Sequence, residues 1–189
     1  MSTAVCSTSL GKVEITLRII SIVLCTGIVT FAAIALSAIL SIEDVFDEYE
    51  DIDLYKSGAA WLIFVAGVGI IAESIITTLR LFGIIGENIT VFGIVDVVIS
   101  SLLAVSLLAG GVANATYGSD NADNYDEIEP FCEQDDINSQ LEDFCNDVKK
   151  LRDTEIAAAF LSFVGMVEFG ALALIMIVTY ATKRGGGMI

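Results

Sequence analysis

The sequence predicts an all-α fold: a four-helix transmembrane bundle with a small disulfide-stapled extracytoplasmic cap. Three observations point there. Apolar residues make up 55% of the 189, more than a soluble domain carries. Four runs reach the roughly 20 apolar residues that a helix needs to cross a hydrocarbon core of about 30 Å. The charge, finally, is confined. Residues 43–57 hold seven carboxylates (Glu43, Asp44, Asp47, Glu48, Glu50, Asp51, Asp53) against Lys56. Residues 114–155 hold thirteen against Lys149, Lys150 and Arg152, and these two segments account for the whole net charge of −16. A soluble acidic protein would spread its charge over every exposed face. Here it marks one side of a bilayer.

In chain order, residues 1–12 form a short polar tail ahead of a first span at about residues 19–42. That run is longer than the ~7–15 residues of a signal-peptide core and lacks a small-residue cleavage site, so it reads as a retained helix. Residues 43–58 make the first outer loop. The second span, about 59–82, opens with Trp61, an amphipathic ring suited to anchoring at the lipid–water interface. A tight turn at 83–88 leads to the third span, about 89–113. The larger outer loop covers 114–155, the fourth span about 156–181, and residues 185–189 close the membrane domain of 13–184 with a second tail. Pro130, the only proline, falls in the larger loop, so no span carries a proline kink. Lys12, Arg18, Arg80, Lys183 and Arg184 flank the spans on one side, against four bases on the other. By the positive-inside rule both termini are cytoplasmic.

Cys132 and Cys145 are the only cysteines of the outer loops. Exported loops meet an oxidising compartment, where such a pair bonds, closing a ring worth about 3 kcal/mol. Cys6, in the tail, and Cys25, inside the first span, do not compete. Ile137, Leu141, Phe144, Val148 and Leu151 recur at helical steps, with Asp135 or Asp136 placed to cap the start. They predict an amphipathic helix running into, or hinged against, the fourth span. The acids Asp120, Asp123, Asp126, Glu127 and Glu129 lack the alternation and glycine of a calcium loop and read as a solvated acidic surface. Asn114-Ala-Thr is a glycosylation triplet at the membrane end of the third span. Asn88-Ile-Thr faces the cytoplasm in this topology.

Four ionisable residues fall within spans, where they are costly and face protein or water. Arg18 and Asp96 both enter from the cytoplasmic side at similar depth and predict an ion pair between the first and third helices. Glu73 and Glu168 sit near the middle of the second and fourth spans, with no base evident at their depth. They are the only feature suggesting proton or cation passage. Small residues (Ser100 and Ala104, Ser106 and Gly110, Gly165, Gly170, residues 157–159) permit close helix approach.

From Lys12 to Arg184 this arrangement resembles the MARVEL-domain family of four-span proteins. The resemblance rests on the architecture, on Arg18 opening the first span, on Asp96 early in the third, and on the paired cysteines of the second outer loop. The Arg and Asp pattern is also similar to that of the plant Casparian-strip membrane proteins. The Cys-Cys-Gly motif of tetraspanins and the first-loop cysteines of claudins are absent from this sequence. The resemblance implies membrane apposition, vesicle biogenesis and lateral organisation through homo-oligomers, and no catalysis.

With no histidine in the chain, His-based acid–base chemistry and histidine metal sites are excluded. So acidic a chain is unsuited to nucleic acid. No catalytic, cofactor-binding or metal site and no small-molecule substrate is expected. The expectation is a non-enzymatic, multi-pass protein of the plasma membrane or an endomembrane vesicle, whose partners are the lipid bilayer and copies of itself or other membrane proteins. The alternatives are a transport or channel subunit working through Glu73 and Glu168, or an accessory subunit of a larger membrane complex.

Overall fold

The computed structural model describes residues 9–43, 52–82, 89–132 and 139–185, which form four α-helices and no strand. They are α1 (Ser9–Glu43), α2 (Ile52–Leu81), α3 (Ile89–Cys132) and α4 (Ser139–Gly185). Helices are the natural outcome for such apolar runs, because in lipid every backbone N–H and C=O must be satisfied within its own segment. All four are long and apolar enough to cross a membrane, with spans at Lys12–Ile42, Tyr55–Leu81, Phe92–Ser119 and Leu141–Thr179. Only 28–39% of each span's most apolar window is buried within the protein. Val23, Phe64, Ile71, Val105, Phe160 and Val167 are each more than 60% exposed. Faces this apolar need lipid around them. The chain is a multi-pass integral membrane protein.

The helices outrun the spans drawn from hydropathy. α3 continues from residue 113 to Cys132, and α4 begins at Ser139, so much of what reads as outer loop is helical. Pro130 lies inside the last turn of α3, not in a loop. Elongating an existing helix needs no new nucleus, so polar residues 114–129 extend one that the apolar run has already formed. The stripe of the larger loop runs straight into the fourth span as one helix. Asp135, Asp136 and Ile137 lie outside the described residues, as do Cys6 and the 83–88 turn with Asn88.

The chain divides into two compact units, each built from segments of all four helices. Unit 1 comprises Met1–Thr26, Val65–Leu107 and Val164–Ile189; unit 2 comprises Gly27–Phe64 and Leu108–Phe163.

Unit 2 is apolar at its centre and stapled at its margin. Ala35, Ala38, Ile39 and Leu151 form a cluster against which Ile42 and Tyr55 pack. The Tyr55 and Tyr117 rings meet edge to face at 4.8 Å. Gly110 is held beneath Leu62 and Trp61, and Gly111 lies against Ser162, Phe163 and Ala159. Glycine is needed at residue 110 because a Cβ would collide with the wholly buried Leu62. Cys132, the last residue of α3, is disulfide-bonded to Cys145 in the second turn of α4, with Cα atoms 5.9 Å apart. Of the predicted stripe, Cys145's neighbours Val148 and Leu151 are buried, whereas Leu141 is exposed. The stripe is thus the underside of the cap, closing over the unit.

Candidate functional site: the charged network of unit 1

Unit 1 is packed around charge. Arg18, on α1, is completely buried and is the largest fully enclosed side chain among the described residues. Its guanidinium is divided among three carboxylates on three helices. Nε and Nη2 donate to Glu14 Oε1 at 3.1 and 3.0 Å, one turn back on α1. Nη1 donates to Glu73 Oε2 on α2 at 2.7 Å. Nη2 also donates to Asp96 Oδ2 on α3 at 2.5 Å. Arginine suits this junction because its planar fork offers five donors in fixed directions and never loses its charge.

A second arginine closes the circuit. Arg80 Nη1 lies 2.9 Å from Glu14 Oε2, and Nη2 lies 3.3 Å from Asp96 Oδ2. Nη2 also contacts Met176 Sδ of α4 at 3.3 Å. One turn along α1 from Arg18, the buried Ser21 hydroxyl donates to Glu168 Oε2 on α4. All four helix segments of unit 1 are therefore tied together by polar side chains.

Arg18 and Asp96 thus meet, but not as an isolated pair. Glu14, Glu73 and Arg80 belong to the same network. The expectation that Glu73 lacks a base at its depth is corrected: Arg18 occupies that position. The first span was drawn from about residue 19, whereas α1 already runs from Ser9 and carries Arg18 fully enclosed. Glu14 went unnoticed because it precedes the apolar run. Its i, i+4 spacing to Arg18 was the available signal.

The remaining sequence candidates lie in unit 2 and take no part in this network. Trp61 is 46% exposed, and its ring packs obliquely on Phe64 at 6.2 Å. Asn114 is only 1% exposed, and its amide nitrogen donates to Gly110 O at 2.9 Å. The nitrogen to which a glycan would attach is enclosed in helical packing, so this triplet is a poor acceptor in the folded chain. The acids from Asp120 to Glu129 lie along α3.

Chemically, the network can hold helices in register, and it can hold positive charge. No group of three or more acidic or cysteine side chains has metal-binding geometry among the described residues. An apolar groove of about 390 Å³ between α2 and α3, lined by Val68, Ile71, Ile75, Phe92 and Val95, reaches Arg80 and Asp96 at the network's edge. Comparison with known proteins finds no family model, no curated protein and no solved structure that matches this chain.

Proposed function

We propose that this protein is a non-enzymatic membrane organiser, acting by lateral packing of its helices in the bilayer and by self-association. The observation carrying this reading is the use made of the intramembrane acids. Glu14, Glu73 and Asp96 are engaged by arginine and Glu168 by Ser21, so all four serve to join helix segments. A carboxylate relay for transport would keep its acids free of such fixed partners. The resemblance to MARVEL-domain proteins points the same way.

The outer surface supports lateral contact. A Cβ at Gly67 or Gly170 would meet nothing within 4 Å, and exposed Phe64, Val68 and Ile71 surround the first, Val167 and Leu174 the second. A small residue on an apolar face lets a neighbouring helix approach closely. Native mass measurement in mild detergent tests the reading, with a homo-oligomer expected. Gly67→Leu and Gly170→Leu should weaken it while leaving the monomer's fold intact, since a Cβ at either position meets nothing within 4 Å. A monomer in lipid and detergent alike would refute self-association. A stoichiometric foreign partner would favour the accessory-subunit reading, and ion flux in liposomes the transport reading.

A further inference from the structure

The arginine-linked network does not balance its own charge. Two guanidinium groups, Arg18 and Arg80, face three carboxylates, Glu14, Glu73 and Asp96. Four of these five residues are more than nine-tenths buried. Glu168 lies within electrostatic range of Glu73 and adds a fourth carboxylate. Of the unit's other bases, Lys12 is exposed, and Lys183 and Arg184 stand in the last turn of α4. Uncompensated charge is not sustained in so dry a setting; it is neutralised or paired.

The network also has unused oxygens. Glu73 Oε1, Asp96 Oδ1, Thr77 Oγ1 and Ser100 Oγ are enclosed and have no hydrogen-bond partner among the described residues. Their residues are between 0% and 8% exposed. Buried polar atoms are satisfied in nine cases out of ten or more, so four together call for an explanation. Their placement is ordered. Glu73 and Thr77 are i, i+4 neighbours on α2, and Asp96 and Ser100 are i, i+4 neighbours on α3, so each pair shares a helix face. The helices run antiparallel, with Arg80 against Asp96 at one point and Gly69 beside Leu103 at another. Between those contacts, Glu73 comes level with Ser100 and Thr77 with Asp96. Two carboxylates and two hydroxyls thus stand at neighbouring levels of two adjacent helices, beside a surplus negative charge.

We propose that unit 1 binds one monovalent cation, an alkali-metal ion or a proton carried by water, on Glu73, Asp96, Thr77 and Ser100. Two carboxylates, both already sharing Arg18, are too few for a divalent metal but match the single charge by which Glu14, Glu73 and Asp96 outnumber the two arginines. Hard oxygen donors are the right chemistry for such an ion. A water travelling with it would accept from Arg80 Nε, which also lacks a partner.

The test is thermal unfolding of the full chain in mild detergent at constant ionic strength. Sodium or potassium chloride replaces choline chloride in one arm. In the other, pH rises from mildly acidic to mildly alkaline in choline alone. A ligand bound only by the folded state stabilises it by mass action, so an ion at 100 times its Kd should raise the Tm by about 5–11 °C. If the cation is a proton held only by the folded chain, stability falls as pH rises in choline. Glu73→Gln removes the surplus charge and should abolish either dependence. Ser100→Ala lies outside every ion pair and should shift the dependence about tenfold in concentration, one lost ligand being worth about 1.4 kcal/mol; it carries the test if Glu73→Gln does not fold. Indifference to sodium, potassium and pH overturns the proposal. So does a dependence that both variants leave intact, which would assign it to the acidic segments of residues 43–57 and 114–155. The oligomer measurement is independent of each of these outcomes.

Discussion

Removing Arg18 should unsettle unit 1 more than any other single side-chain deletion, and the pattern of rescue identifies its main partner. In Arg18→Leu, Glu73 loses its only hydrogen-bonding partner among the described residues, whereas Asp96 and Glu14 retain Arg80 at 3.3 and 2.9 Å. Stranding a buried charge by deleting its partner costs about 3–5 kcal/mol, or about 6–20 °C in Tm at this chain length. Glu73→Leu should cost less, about 1.5–3 kcal/mol for one charged hydrogen bond, because Arg18 keeps Glu14 and Asp96 at 3.0 and 2.5 Å. The double substitution Arg18→Leu/Glu73→Leu leaves no stranded Glu73 and should unfold well above the additive value, with a coupling of about 2 kcal/mol. Arg18→Leu/Asp96→Leu, the cycle the sequence alone would suggest, should show less rescue because Glu73 stays stranded. Circular dichroism or intrinsic fluorescence melts of all six proteins in one detergent, Asp96→Leu closing the second cycle, supply the comparison. Additivity for Arg18 with Glu73, together with full rescue for Arg18 with Asp96, would refute the three-carboxylate arrangement.

Three further outcomes are expected. Maleimide labelling of unreduced, denatured protein should modify Cys6 and Cys25 only, and Cys132→Ser/Cys145→Ser should cost about 3 kcal/mol; labelling of four thiols would remove the bridge. Gly110→Ala should destabilise by about 1–3 kcal/mol through overpacking against buried Leu62, whereas Gly67→Ala, with open space around its Cβ, should be neutral or stabilising by about 0.5–1 kcal/mol through helix propensity. A tag at either terminus should be protected in intact cells or sealed vesicles while one inserted near Asp123 is accessible; an accessible amino-terminal tag would reverse the topology.

The sequence by itself determined the class of protein and its staple. Four runs of about 20 apolar residues admit only helices in a bilayer, since no water is there to satisfy an open backbone. With Cys6 in the tail and Cys25 inside a span, Cys132 had only Cys145 as a partner in the outer loops. These are local or compositional facts and need no packing to be legible. Helix ends were not legible in the same way. The acids and asparagines of residues 114–129 read as loop, yet α3 runs through them to Cys132, because propagation of a formed helix overrides weak propensity. The network was half visible. Arg18 and Asp96 stood out as charges within apolar runs, but pairing depends on depth and rotation about each helix axis, which hydropathy does not encode. Only the tertiary structure placed Glu73 against Arg18, brought Glu14 and Arg80 into the same circuit, and assigned Ser21 to Glu168. It also buried Asn114, which the triplet alone had offered as a glycan acceptor. Each of these rests on contacts between residues far apart in sequence, and the energy that selects them is the cost of leaving a buried charge or polar atom without a partner.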